Sequence, residues 1–295
     1  MDINFEYYKI FYYVAKYKNI TKAATALGSN QPNVTRIVKL LEEQLHCRLF
    51  IREVRGVTLT EAGEMLFEHV DIAFQQLLKA QEKIGAHELD GRGIVEIGAT
   101  ETALHLFLLE ALPKFREQYP KIRIKIHNHT TPEILKYLVS GRLDFAVVTT
   151  PFHAPPSFLC EEALSFREIL AGGMLYSDLT GEKLGLEQLK DYPWIGLGDG
   201  TSTYELYKDF FIRHKVDIKL DMEVATSDLL LPLLQNNLGI GFVPETLAQP
   251  FLQKKQLVRI NLKYELPKRA VKLVSDKGRG RTLAADQFYE FLLSI

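Results

Sequence analysis

The chain has 295 residues, 46% hydrophobic and 25% charged, with a formal net charge of −1, a balance that excludes disordered and collagen-like classes. That length suits two or three compact units, and near-neutrality excludes a surface coated uniformly with cations for nucleic acid. The charge is uneven, because residues 1–60 hold nine Lys or Arg against five Asp or Glu, which leaves about −5 for the other 235 residues and points to a polyanion-binding unit at the N-terminal end.

The opening "MDINFEYYKIF" lacks the basic-then-apolar order of a secretory leader, and no run of about 18 apolar residues follows, so the chain is expected in the cytoplasm without membrane contact. Phe5, Tyr8, Phe11, Tyr12 and Ala15 recur at helical spacing and predict an amphipathic helix over residues 4–17. "TKAATALG" predicts a second, short helix with Thr21 as its cap, Ala23 and Ala24 small enough for close packing, and Gly28 as its stop. A third helix opens two residues later, capped by Ser29 or Asn30, with Pro32 in a first turn that needs no N–H. Val34, Ile37, Val38, Leu41 and Leu45 form its apolar stripe, whereas Gln31, Asn33, Thr35, Arg36 and Lys39 populate the other face.

"CRLFIREVRGVTLT" predicts a small hairpin with Arg52 and Arg55 on or near its tip. From Thr60 a helical pattern runs for about 27 residues, roughly 40 Å, with Leu66, Phe67, Val70, Phe74, Leu77, Gln81 and Ile84 along one seam. A helix of that length needs a partner; a second copy of the chain burying the seam is the expected one, with the chain's own C-terminal domain as the alternative. "HELDGRG", residues 87–93, is the hinge candidate. Beyond it strands and helices alternate, from "GIVEIGAT" through "RLDFAVVTT" and again from "DYPWIGLGDG" to a last helix at Leu283–Leu293. This rhythm predicts mostly parallel sheets covered by helices, in two successive α/β lobes with a cleft between them.

Thr21 to Arg36 has helix-turn-helix spacing, and the exposed face of the third helix is rich in amide and guanidinium groups that pair with base edges, alongside Thr and Lys suited to phosphates. A solvated helical face is the ordinary alternative. The stretch "TKAATALGSNQPNVTRIVKLLEEQLHCRLFIREVRGVTLTEAG", Thr21–Gly63, also resembles the N-terminal signature of LysR-type transcriptional regulators. Its double Ala, Gln-Pro turn, Thr-Arg pair, Leu-Glu pair, Leu-Phe followed by Arg, and Leu-Thr-x-Ala-Gly occur in the family's order. Asn30, Asn33, Thr35 and His46 depart from the common pattern.

The resemblance implies a winged helix-turn-helix over 1–59, a linker and dimerisation helix over 60–87, a hinge at 88–93 and an effector domain over 94–295. That domain would be two-lobed α/β, similar to type 2 periplasmic binding proteins, with lobe I about 94–162 and 269–295 and lobe II about 163–268. It implies double-stranded promoter DNA as partner, bound through Thr21, Gln31, Pro32, Asn33, Thr35, Arg36 and Lys39, with Arg52 and Arg55 on the wing side. It also implies dimers paired into tetramers, a small-molecule effector, and contact with RNA polymerase if the protein activates.

The effector cleft is placed where strands end and helices begin. "GATET" brings Thr100, Glu101 and Thr102, "VVTT" brings Thr149 and Thr150, and "GDGTST" brings Thr201 and Ser202. Any one of these hydroxyls is equally explained as a helix cap. No nucleophile elbow, acid–base pair, phosphate loop or dinucleotide fingerprint is present, so an enzyme is not expected, nor a cofactor. His127 and His129, alternating on a strand, have no third partner for a metal, and Cys47 and Cys160 are expected as free thiols.

Overall fold

The computed structural model describes residues 3–53, 56–86 and 93–295, which fall into two compact units, Met1–Ile84 and Gly85–Ile295. Arg55 and all of the expected hinge except Gly93 lie outside the described residues. The first unit runs α1 (Phe5–Tyr17), α2 (Ile20–Ala26), α3 (Gln31–Gln44), β1 (Phe50–Glu53), β2 (Gly56–Leu59) and α4 (Glu61–Ala86). Three asparagines start the three short helices: Asn4, Asn19 and Asn30 accept the N–H groups of Glu6, Lys22 and Asn33. Thr21 is therefore not the cap of α2. The helix begins at Ile20, and Asn19 reaches the free amide from one position before it.

Phe11, Val34, Leu41 and Leu49 form the fully buried centre of this unit. The turn from α3 into β1 is held by Glu42, whose carboxylate accepts the N–H of Leu49 at 2.8 Å and of Phe50 at 3.2 Å. Gly63 permits the start of α4 to lie against this turn, since a Cβ there would stand 2.1 Å from the Leu49 carbonyl oxygen. The seam of α4 is used differently from expectation. Tyr12 stacks on Phe74 at 4.7 Å, and Leu66, Phe67, Val70 and Phe74 pack into the core of their own unit rather than awaiting a second copy. The aromatic residues of α1 supply the partner surface. Leu77 and Gln81 are exposed, and the Ile84 side chain lies outside the described residues.

In the second unit, β3 (Gly93–Ala99), β4 (Ile122–Asn128), β5 (Phe145–Thr149), β6 (Phe158–Phe166) and a late strand, Arg269–Asp276, form a five-stranded sheet. Side chains alternate across it. Val147 and Leu273 face the core under α5 (Glu101–Ala103), α6 (Leu109–Gln118) and a C-terminal helix, Leu283–Leu293, whereas Ala146, Val148 and Val274 face α7 (Thr131–Val139). A π-turn, Leu104–Leu108, joins α5 to α6.

The second lobe holds β7 (Glu168–Gly173), β8 (Ile195–Leu197), α8 (Ser202–Arg213), β9 (Met222–Val224), α9 (Leu230–Gln235), β10 (Ile240–Pro244), α10 (Glu245–Gln253) and β11 (Leu257–Ile260). The returning strand is β12 and the last helix α11. Pairing is parallel among β3, β4 and β5 and between β8 and β9, but β12 runs antiparallel to β5 and β6, and β7 antiparallel to β10 and β11. Four of these seven pairings are antiparallel, where mostly parallel sheets were expected. β6 carries the chain out of lobe I and β12 brings it back beside β6, so the two must run in opposite directions. Lobe I also extends through β6 to Phe166, beyond the expected residue 162.

At these two crossings sits a buried ion pair, Arg269 Nη1 to Glu168 Oε1 at 2.9 Å, with side chains 2% and 4% exposed. Arg269 also donates to the Thr150 carbonyl at 2.7 Å, to Thr149 Oγ1 at 3.2 Å and to Thr203 Oγ1 at 3.0 Å. The Tyr207 hydroxyl donates to the second oxygen of Glu168. Burial, reinforced by that carboxylate, pushes the Tyr207 phenol well above its ordinary pKa.

Two predictions follow from these contacts. Glu42→Ala should cost the first unit about 1–3 kcal/mol, whereas Glu43→Ala, on an exposed neighbour, should be near neutral. Urea titration by far-UV circular dichroism reads this; fluorescence of the single tryptophan, Trp194, reports the second unit and should not move. Arg269→Met or Glu168→Leu should each cost about 3–5 kcal/mol by stranding a buried charge, and the double variant should recover part of that loss. The Trp194 unfolding transition is the measurement.

Candidate DNA-reading helix and interlobe site

The third helix presents its two faces as its sequence requires. At 100° per residue, Gln31, Pro32, Thr35, Arg36 and Lys39 fall within about 140° of one another, opposite the buried Val34, Ile37, Val38 and Leu41. Gln31, Pro32, Arg36 and Lys39 are exposed and Thr35 is half-buried. Asn33 lies at the edge of this face. Its amide donates to Ser29 Oγ at 3.1 Å, and its carbonyl oxygen accepts from Arg36 Nη2 at 3.1 Å. Asn33, expected at the DNA face, orients the Arg36 guanidinium and secures the first turn to the preceding loop. Ser29 and Asn30 thus share the helix start, one through Asn33 and one as the cap.

Thr21 and Lys22 are exposed on α2, and Arg52 is exposed on β1, opposite Val57. The turn between the first two helices also braces the wing. Lys18, at φ 49°, accepts the Val57 N–H through its carbonyl at 3.1 Å. Gly56 is needed there, because a Cβ would stand 2.6 Å from that oxygen and its φ is +126°.

In the second unit the strand ends converge as expected, but the hydroxyls divide into committed and uncommitted ones. Thr149 and Thr150 are engaged: the first accepts from Arg269, and the second accepts the Ala270 N–H at 2.9 Å. Thr201 caps α8, accepting the Tyr204 N–H at 3.1 Å and donating to the Gly198 carbonyl at 2.9 Å. These three hydroxyls each serve the local frame, Thr149 and Thr150 by binding the start of β12 and Thr201 by capping α8. Ser202 follows in the first turn of α8, half-buried.

Thr100 differs. It is buried, its N–H donates to the Val147 carbonyl, and its hydroxyl has no hydrogen-bond partner. Two residues on, Thr102 Oγ1 lies 2.9 Å from Ser227 Oγ, a contact between the first helical turn of lobe I and the turn before α9 in lobe II. Glu101 points elsewhere. One carboxylate oxygen accepts from Asn128 Nδ2 at 2.7 Å and the other is 2.9 Å from His105 Nε2, toward the end of β4 and the next helical turn.

Arg269, Glu168, Thr203 and Ser227 were not singled out from sequence. A signal existed for Glu168, which opens the otherwise apolar run "EILAGG", since a charge at the start of a buried strand needs a partner. Ser227 opens a helix like the other clusters. Among the described residues no group of three or more His, Cys, Asp or Glu side chains is placed to hold a metal. His129 lies past the end of β4, with its ring against Tyr137, so it does not share a strand face with His127. No helix among the described residues is long and apolar enough to cross a membrane.

Comparison with known proteins bears on both units. Residues 5–64 match the family described as bacterial regulatory helix-turn-helix protein, lysR family, and residues 90–294 match the LysR substrate binding domain. The chain is similar to the HTH-type transcriptional regulator YofA of Bacillus velezensis, 30% identical over 251 residues, 84% of this chain and 83% of that protein. Its fold is similar to that of full-length CbnR crystallised with its target DNA, with a TM-score of 0.70, 19% identity and coverage of 98% of this chain and 99% of that one. The second unit resembles the effector binding domain of QuiR in complex with shikimate, with a TM-score of 0.60, 16% identity and coverage of 69% of this chain and 96% of that one. From its helix-turn-helix to its two-lobed domain, this chain belongs to the LysR family of transcriptional regulators.

Proposed function

We propose that the protein reads promoter DNA with the face of α3 formed by Gln31, Pro32, Thr35, Arg36 and Lys39, and reports a small molecule held between the lobes at Thr100, Thr102 and Ser227. The observation that carries this reading is the partition of α3. Its core stripe is complete without these five residues, and Asn33 fixes the guanidinium of Arg36, one of the two exposed cations among them, at 3.1 Å. Arg36 is then suited to bidentate contact with a base edge in the major groove, and Lys39, one turn on, to a phosphate. Lys22 on α2 and Arg52 on the wing side lie outside that face and suit backbone contacts.

On the effector side, a buried hydroxyl with no partner is a cost that a ligand removes. The Thr102–Ser227 contact ties the lobes by a bond that a ligand either bridges or replaces. Either choice favours one lobe arrangement, which is the requirement for signalling. An exposed ridge on α4, Met65, His69, Ala73 and Leu77 at intervals of four, suits pairing with a second copy, and two reading heads then address half-sites on a twofold axis. CbnR crystallised with target DNA and the shikimate complex of QuiR support the two halves of this reading by analogy. Action in the cytoplasm, tetramer assembly and contact with RNA polymerase belong to the same proposal.

Two outcomes test it. In fluorescence anisotropy with a fragment of the protein's own upstream region, Arg36→Ala should lose about 1–3 kcal/mol of preference over unrelated DNA. Lys39→Ala should weaken all sequences alike and reduce the salt slope by about one. Equal binding of both variants to both DNAs contradicts the assignment. For the lobes, Thr100→Val should leave thermal stability within about 0.5 kcal/mol of the natural chain, because the hydroxyl bonds nothing. It should abolish the response of the DNA complex to an effector found by thermal-shift screening, and an unchanged response would remove Thr100 from the site.

A further inference from the structure

The two chain crossings between the lobes, the hinge of the effector domain, carry a feature that the interlobe reading does not use. Beside both crossings opens a hollow of about 420 Å³, floored by β7 and β11, a size usual for small-molecule sites. Arg167, Lys183, Arg259 and Lys268 border it. Arg259 is paired with Glu245 at 2.6 Å. Among the described residues, Arg167, Lys183 and Lys268 make no side-chain hydrogen bond or ion pair. The carboxylates bordering the hollow are Glu265 and Glu168, and the latter is held by Arg269 and Tyr207. Three unpaired cations thus face one uncommitted carboxylate.

The placement of two of these cations is informative. The antiparallel ladder ends with Phe166 opposite Arg269, so Arg167 and Lys268 are the residues flanking its last pair, and both border the same hollow. Two cations flanking the end of one ladder repel one another, and an anion held between them reverses the sign of that interaction. We propose that this hollow is a second ligand site, separate from the interlobe cleft, for a small molecule with two or more closely spaced negative charges, phosphoryl or carboxylate.

None of Thr100, Thr102 and Ser227 borders the hollow, so its occupancy is independent of the interlobe reading. Its consequence for the lobes is direct. Arg167 precedes Glu168 and Lys268 precedes Arg269, so an anion gripping the first of each pair draws the two crossings together at the buried ion pair. A ligand of this class therefore biases the hinge itself.

The test is isothermal titration of the full chain at low salt with pyrophosphate and, separately, citrate, against sodium chloride at matched ionic strength. Saturable binding of at least one of them is expected, weakened roughly tenfold by Arg167→Gln and by Lys268→Gln, each exposed and replaceable without disturbing the core. Binding of pyrophosphate alone marks a phosphoryl ligand and of citrate alone a polycarboxylate. Because the N-terminal cations also attract anions, the double variant Arg36→Gln, Lys39→Gln serves as control and should retain the signal. The proposal is overturned if neither anion binds beyond the chloride control, if the hinge variants bind as the natural chain does, or if the N-terminal control abolishes the signal.

Discussion

The effector domain depends on one interaction, the enclosure of the Arg269 charge at the junction of its two lobes. A guanidinium removed from water is tolerated only when its donors are satisfied, and here they are spread over Glu168 and Thr203 of lobe II and Thr149 and Thr150 of lobe I. The hydrogen-bond directions of one side chain therefore fix how the ends of β5 and β12 meet the start of α8. Tyr207 completes the shell by occupying the other oxygen of Glu168. A hinge built this way resists free rocking and favours discrete arrangements, the property a ligand-responsive regulator needs.

The first unit shows the same economy on a smaller scale. Short side chains begin its helices, and Glu42 and Lys18 hold its turns through backbone contacts, so the exposed face of α3 is left without a structural task. Asn33 links the two roles, since its bonds to Ser29 and Arg36 stabilise the helix start and aim the guanidinium at once. The dense aromatic contact between α1 and α4 makes the beginning of the long helix part of the reading head. The long helix and α3 thus share one packed core, so a displacement of the first would reach the second without a loose tether.

How much of this was legible depended on whether a residue's role was set locally. The stripe Val34, Ile37, Val38 and Leu41 and the polar face beside it are properties of helical periodicity, so sequence alone located both. Asn19 was passed over for Thr21 because either caps a helix and only the position of the first turn decides between them. The fate of the α4 seam was hidden for a different reason: periodicity reveals that a face is apolar and is silent about which surface covers it. The threonine clusters were found at the strand ends, yet the division among them turns on Arg269, more than a hundred residues away from Thr149 in sequence, and no local pattern encodes that meeting. Thr100 is recognisable as the uncommitted member only once its neighbours' partners are known.

On the proposed reading, a rigid reading head addresses specific DNA as a symmetric pair, and the state of the lobes alters how it does so. Footprinting of the full chain on its own upstream region, with and without a panel of metabolites, tests this most directly. The account predicts two protected half-sites related by twofold symmetry and separated by whole turns of about 10 base pairs, with a change in their pattern when an effector is present. A single protected patch without a symmetry mate, or protection equal on unrelated sequence, would contradict it.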